Sequence, residues 1–327
     1  MFKGQNLKLT LFGGSHGECV GGVMDGLPHG EAVDFDEIAA FMARRATGGA
    51  LTTARKEPDA VHVDSGIRNG FTEGFPLALT IANTDTRRGD YNKLADKPRP
   101  GHADYTAYMK YGGFADMSGG GHFSARLTAP LCAFGAITKQ ILSRRGINVN
   151  ATLVSVGEVS GDETALFAEI GRVKQLGDSV GGVISCEISG LNVGYGGPLW
   201  DGVEGRLAYA VFAVPGVKGI EFGSGFSGAK RLGSENNDPF CIENGAVKTT
   251  KNDSGGILGG ITSGESIVFR SAMKPTPSIA KPQQTISLSA KENATLEIVG
   301  RHDPCIALRA VPVIEAVAAI ATLDIIL

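Results

Sequence analysis

Five short segments of the chain carry the side chains best suited to chemistry. Gly13-Gly14-Ser15-His16-Gly17 sets a hydroxyl beside an imidazole in a run of glycines. Arg99-Pro100-Gly101-His102-Ala103-Asp104-Tyr105 places a second histidine between an arginine and an aspartate. Ser118-Gly119-Gly120-Gly121-His122-Phe123-Ser124-Ala125-Arg126 leads into an apolar stretch whose helical N-terminus suits an anion. Lys274-Pro275-Thr276-Pro277-Ser278 and Arg301-His302-Asp303-Pro304-Cys305 complete the set. Histidine exchanges protons at cell pH because its unperturbed pKa is about 6.5. Glycine lets the backbone come close to a ligand. Between Arg44 and Arg126 there are 12 Lys/Arg against 9 Asp/Glu, a surplus of +3 that leaves −6 for the rest of the chain. A basic segment in an acidic protein points to a small, multiply charged anion. His29 and His62 lack such surroundings and read as structural or exposed.

Several other motifs fail on context. Gly13–Gly17 matches G-x-S-x-G, but a nucleophile elbow lies deep in a sheet after several strands, and only one strand precedes Ser15. Gly223-Ser224-Gly225-Phe226-Ser227-Gly228 matches G-x-G-x-x-G, yet turn residues follow where a dinucleotide fingerprint needs a helix. The five cysteines form no C-x-x-C pair, so no metal site is expected.

The elements that must position these loops are legible in outline. Hydrophobic residues make up 42% and charged residues 20%, enough for a sizeable core and too apolar for disorder. A net charge of −3 argues against a dedicated nucleic-acid binder. Strands are expected at Leu7–Phe12, Val20–Met24, Ala60–Val63, Pro76–Ala82, Gly182–Ile188, Gly219–Phe222, Ser266–Ser271 and Thr285–Ser289. Helices are expected after Asp34, with Ile38, Phe41 and Met42 as its apolar stripe, and over Ser124–Arg144, interrupted by Pro130. Glu163–Leu176 and Leu199–Phe212 also read as helices, and Asn83–Gly121 reads mostly as loop. The apolar run Ala310–Leu327 holds Pro312, Glu315 and Asp324, which fits a buried core helix better than a membrane span. Strands outnumber helices and several follow one another directly, so the fold class is α+β, with residues 1–327 as one domain. The polar start around Lys3 and Lys8 has no signal-peptide character, so a cytoplasmic chain with reduced thiols is expected.

These residues also carry a resemblance. Over nearly its whole length the sequence resembles the chorismate synthase family. The Ser-His-Gly loop is similar to the family's first signature and Gly119–Arg126 to its second. Arg301-His302-Asp303-Pro304-Cys305, followed by Arg309-Ala310-Val311-Pro312-Val313-Ile314-Glu315-Ala316, is similar to the third. Asn83–Tyr91, Pro100–Tyr105, Val217-Lys218-Gly219, Gly255–Gly260 and Lys274–Ser278 match in the same order. The resemblance implies an α/β sandwich of antiparallel sheets enclosing core helices, assembled as a homotetramer. It implies a lyase of the shikimate pathway that eliminates phosphate from 5-enolpyruvylshikimate 3-phosphate to give chorismate. Reduced FMN is implied as cofactor, with no net redox change, and NADPH is a candidate reductant.

Roles follow from the same matches. His16 would protonate the leaving phosphate, His102 would protonate or neutralise the flavin, and Asp303 with Ser15 would help flavin N5 take up the substrate proton. Flavin contacts would come from His122, Phe123, Ser124, Pro215, Gly216, Gly259, Lys274, Pro275, Thr276, Pro277, Ser278 and Arg301. Arg44, Arg45 and Arg126 would meet the substrate, their planar forks suiting its carboxylates and phosphate. The chain departs from the family pattern at Gly14, where glutamate is usual, and at His122, Phe123 and Leu127, which replace Arg, Ser and Glu. Ala50 takes the place of an arginine, with Arg55, Arg87 and Arg88 as candidates to replace its charge. The alternative these departures raise is a divergent paralogue that binds FMN or a phosphorylated anion without turnover.

Overall fold

The computed structural model describes residues 1–46, 51, 58–84, 96–298 and 303–327. Two five-stranded antiparallel sheets are separated by helices. The first sheet runs Phe2–Lys3, Lys8–Gly13, Cys19–Asp25, Leu77–Ala82, His62–Ser65. The second runs Val217–Phe222, Ile267–Met273, Gly182–Ser189, Asn148–Val156, Val159–Ser160. Helix Thr128–Arg144 lies on the first sheet, helix Ala307–Ile326 lies on the second, and the two helices pack on each other. The α+β sandwich of antiparallel sheets around core helices is therefore as expected.

The helices between the sheets are apolar on nearly every face because both faces are covered. Phe134, Ile137, Ile141 and Leu142 are fully buried, each side chain contributing about 1.5–3 kcal/mol of burial. A Cβ on Gly135 would overlap the Ala316 backbone, so this glycine sets how closely the two helices cross. The carboxylates of the C-terminal helix are tied down internally. Asp324 accepts from the N–H groups of Asn6 and Leu7, both at 2.7 Å, and from Arg206 Nη2 at 2.7 Å. Glu315 accepts from Arg44 Nη1 at 2.8 Å and Nη2 at 2.7 Å, from Lys139, and from the Ala151 N–H at 3.0 Å. Among the described residues no helix is long and apolar enough to cross a membrane.

Register carries the site. Gly13 pairs with Val20, so Ser15 and His16 occupy the turn of a hairpin, a place no nucleophile elbow occupies. Cys19 pairs with Ala82, which brings Asn83 to the same end of the sheet. In the second sheet Met273 pairs with both Gly182 and Val217, so Lys274 leaves the sheet beside Pro215 and Gly216.

Some expectations shift. Helix Thr128–Arg144 begins later than Ser124, and Pro130 falls in its first turn, where a missing N–H breaks no helical bond, so it does not interrupt the helix. The stretch Leu199–Phe212 divides at Gly202 into a turn at Leu199–Asp201 and a helix at Val203–Val211. Strand Asn148–Val156 and helix Asp104–Tyr111 were not expected. Asn148, Asn150 and Thr152 dilute the first pattern with polar residues, and the helix buries only Ala107. Asp34 caps helix Phe35–Arg45 through the N–H groups of Asp36 and Glu37, while the Asp34 N–H donates to Gln140 Oε1 at 2.9 Å.

Candidate active site

Ser15, His16, His102 and Ser124 converge on one glycine loop. Gly119, Gly120 and Gly121 all have positive φ (60°, 94° and 51°), a path that a side chain would strain. A Cβ on Gly119 would overlap the His16 ring and approach Ser15 Oγ to 2.8 Å. A Cβ on Gly120 would lie 3.2 Å from His102 Nε2 and 3.6 Å from Ser124 Cβ. The two histidines therefore meet adjoining residues of a single loop that has no side chains to separate them.

The first histidine is held through a hydroxyl. Ser15 is fully buried, and its Oγ lies 3.0 Å from the Ser118 carbonyl, 3.1 Å from the Gly119 carbonyl and 2.9 Å from His16 Nδ1. Carbonyls only accept, so the single hydroxyl proton goes to one of them and Nδ1 donates to Oγ. The Ser15 N–H donates to the Gly121 carbonyl at 3.2 Å, and His122 Nδ1 donates to the Gly13 carbonyl at 3.0 Å. The hairpin turn and the glycine loop are thus joined in both directions.

Asn83 anchors that turn from below. Its amide NH2 donates to the carbonyls of Gly14 (3.0 Å) and Gly17 (2.9 Å), and its Oδ1 accepts from Arg126 Nε at 2.8 Å. Arg126 continues to Asp59, which also accepts from Arg45. Both guanidiniums are almost fully enclosed, with side chains 4% and 5% exposed. Arg309 links this network onward, donating to the Arg45 carbonyl at 3.1 Å and to Asp303 at 2.7 Å.

The second histidine is held by a carboxylate. His102 Nδ1 lies 2.6 Å from Asp104 Oδ1, and Asp104 in turn accepts Arg99 Nε and Nη2, both at 2.7 Å. Burial alone would raise the Asp104 carboxyl, but hydrogen bonds from Arg99 and His102 outweigh it and hold it far below the usual carboxylate range. Arg99 Nη1 reaches Ser278 Oγ at 3.4 Å, and Lys274 Nζ donates to the Gly101 carbonyl. The Lys274–Ser278 segment is therefore fastened to the His102 loop. Thr276 Oγ1 also donates to the Asp303 carbonyl at 2.7 Å, and the Lys274 N–H to the Gly216 carbonyl at 2.9 Å. Burial, and then the like charge of Lys218, lower the pKa of Lys274. Two neighbouring ammonium groups and a side-chain-free glycine loop suit a flat ligand bearing an anionic arm.

The structure thus gathers Ser15, His16, His102, His122, Ser124, Pro215, Gly216, Lys274, Thr276, Ser278 and Asp303 through linked contacts. Pro277 touches the same region, its Cβ 3.6 Å from the position of a Cβ on Gly101. Phe123 stacks at a tilt on Tyr111, with centroids 6.3 Å apart. Gly259 sits in another neighbourhood, on a hairpin whose adjacent Gly260 carbonyl accepts from Val203 N–H. Arg44 is paired with Glu315, and Arg45 and Arg126 with Asp59, so the charge of all three is already engaged. Arg301, together with Ala50, Arg55, Arg87 and Arg88, lies outside the described residues. Asn83, Asp59, Asp104 and Arg309 are site residues that carried no role in the sequence reading. Only Asp104 had a local signal, its spacing of two from His102.

Comparison with known proteins agrees along the full chain. The chorismate synthase family model matches residues 7–327. A chorismate synthase of Chitinophaga pinensis is 46% identical over 98% of this chain and 95% of its own length. Those of Dehalococcoides mccartyi and Pyrococcus abyssi are each 43% identical, over 98% of this chain and 95% and 96% of theirs. Among solved structures, a crystal structure of chorismate synthase superposes with a TM-score of 0.76 at 26% identity, covering 99% of this chain and 92% of that one.

Proposed function

Since this chain belongs to the chorismate synthase family, we propose that it is a lyase eliminating phosphate from 5-enolpyruvylshikimate 3-phosphate to form chorismate. The observation that carries this reading is the meeting of His16 and His102 at Gly119 and Gly120, a geometry that brings two proton carriers to one ligand. His16, its Nδ1 held by Ser15, would protonate the leaving phosphate, which requires the doubly protonated ring. His102, whose Nε2 lies against Gly120, would protonate or neutralise the reduced flavin. Ser15 and Asp303 border the path of the proton lost from the substrate. Ser15 is fixed by the Ser118 and Gly119 carbonyls, and Asp303 by Arg309.

The loops fit reduced FMN. His122, Phe123, Ser124, Pro215, Gly216 and Lys274–Ser278 would hold it, with Lys274 beside its phosphate. Gly259 belongs to the same reading from outside the gathered loops, and Arg301, which lies outside the described residues, belongs to it by its motif alone. Reduced flavin, when bound, supplies the electron-rich partner that the elimination requires without net redox change, and NADPH is the proposed reductant that keeps it reduced. On the substrate side Arg44, partly exposed beside Glu315, is the arginine that would reach the substrate, while Arg45 and Arg126, enclosed against Asp59, would support the site from beneath.

The same reading treats residues 1–327 as one domain, supported by a single buried cluster that includes both sheets and the C-terminal helix. It makes the protein a homotetramer, supported by exposed Tyr105, Tyr108, Met109, Tyr111 and Phe114 along one segment. It places the protein in the cytoplasm, supported by five free cysteines. The test is to mix the protein, reduced FMN and substrate without oxygen and follow chorismate absorbance and released phosphate. Formation of both in equal amounts is expected, and flavin binding with neither product would overturn the assignment.

A further inference from the structure

We propose that Asp104 is the positioning residue of His102, holding the imidazole with its proton on Nδ1 and so fixing Nε2 as the atom turned to the ligand at Gly120. The functional half of this inference rests on the reading of His102 as a proton carrier, while the structural half stands on geometry alone. His102 Nδ1 has two neighbours, Asp104 Oδ1 at 2.6 Å and Arg99 Nη2 at 3.1 Å. A guanidinium only donates and an ionised carboxylate only accepts, so the two neighbours demand opposite tautomers. Arg99 Nη2 has a shorter bond available, to Asp104 Oδ1 at 2.7 Å. The contact from Nδ1 to the carboxylate is shorter still, as charge-assisted bonds are. Nδ1 therefore donates to Asp104.

The carboxylate cannot turn away from this task. Its Oδ2 accepts the Arg99 backbone N–H at 3.0 Å and Arg99 Nε at 2.7 Å, while Oδ1 accepts Nη2 and the imidazole. Asp104 is also the first residue of helix Asp104–Tyr111, where a negative charge meets the positive end of the helix dipole. The aspartate touches the ring and not the glycine loop, so it acts through His102.

This arrangement makes a specific demand on Asp104→Asn. An amide NH2 placed at Oδ2 would face two donors from Arg99, whereas at Oδ1 it faces one and can donate to Nδ1. The amide should therefore settle with NH2 against the ring, strip the proton from Nδ1 and move it to Nε2. Solid-state NMR of the full-length protein labelled with 15N-histidine reads this directly, with His102→Gln assigning the signal. We expect Nδ1–H in the unaltered protein, Nε2–H in Asp104→Asn, and Nδ1–H again in Asp104→Glu and Arg99→Lys. Turnover in Asp104→Asn should fall about 10–100-fold with KM changed less than about threefold, below the loss from deleting the ring itself. Asp104→Glu should recover most of it. Retention of Nδ1–H in Asp104→Asn would overturn the proposal, as would a loss of turnover without the tautomer change. A tautomer change with unaltered turnover would also overturn it, because the ring's orientation would then not matter. Failure of the lyase reading shows separately, as an unaltered protein that makes no chorismate while the Asp104-dependent tautomer persists. Should Asp104→Asn not fold, Asp104→Glu and Arg99→Lys carry the same measurement, and Nε2–H in both would refute the assignment.

Discussion

His16 and His102 reach neighbouring glycines from supports of opposite character. His16 stands in the turn of a sheet hairpin, its Nδ1 on a neutral hydroxyl whose own proton is directed by the carbonyls of Ser118 and Gly119. His102 stands ahead of a helix, its Nδ1 on a carboxylate gripped by a guanidinium. Both arrangements hold a ring through Nδ1. One depends on where backbone carbonyls point, and the other on charge. Changes to backbone shape should therefore strike His16 first, and changes to charge should strike His102 first.

The largest effects come from removing either ring. His16→Ala and His102→Ala should each lower turnover about 10²–10⁴-fold with much smaller changes in KM. Steady-state kinetics checks this, and near-normal turnover in either variant would remove that ring from the comparison. Next comes Asp59→Ala, which leaves two enclosed arginines unpaired beneath the His16 turn. It should cost about 3–5 kcal/mol of stability, read by denaturant unfolding, because an uncompensated buried charge remains. A loss under about 1 kcal/mol would show that the network is not what supports the turn.

A smaller effect separates the two supports. Gly119→Ala adds about 1–3 kcal/mol of backbone strain and overlaps the His16 ring. It should perturb the His16 NMR signals while leaving the Nδ1 signal of His102 unchanged. Equal disturbance of both histidines would mean that the supports are not independent. The smallest effect concerns acid. The Asp104 and Glu315 carboxyls are both held below their ordinary values by their cationic partners, against the opposing pull of burial. A carboxyl depressed in the folded state adds stability that is complete above its free pKa of about 4 and is lost as pH falls below it. The stability gap between the unaltered protein and Asp104→Asn should therefore narrow as pH falls below about 4. A gap that widened below that pH would reverse the assignment of charge to Asp104.

Two of the departures from the family pattern fall at one contact. A Cβ on Gly14 would sit 3.5 Å from the Gly121 backbone, and His122 bonds the Gly13 carbonyl at 3.0 Å. The carboxylate and the guanidinium that the resemblance leads one to expect at 14 and 122 would therefore belong to facing loops. His122 retains a link between the loops through its bond to the Gly13 carbonyl. The sequence gives no hint of this, because residues 14 and 122 are far apart along the chain.

The same separation limits what was legible in the site. Ser15, His16 and His102 could be found because serine and histidine are uncommon among clustered glycines and their chemistry follows from type. Asn83 and Asp59 could not, since their partners Gly14 and Arg126 lie 69 and 67 positions away. Arg45 and Arg126 read as free cations in the chain, but the fold turns both inward onto Asp59.

Local pattern alone determined the α+β class, the capped helix after Asp34, the buried C-terminal helix and the identity of the loops that carry the chemistry. Each of these follows from periodicity, propensity or residue type within a few neighbours. Tertiary structure decided which charges are spent and which are offered. It also decided that two histidines, 86 positions apart in the chain, share one glycine loop. Ion pairs and close approach depend on register between strands and on the crossing of helices, and those are set by packing the whole core.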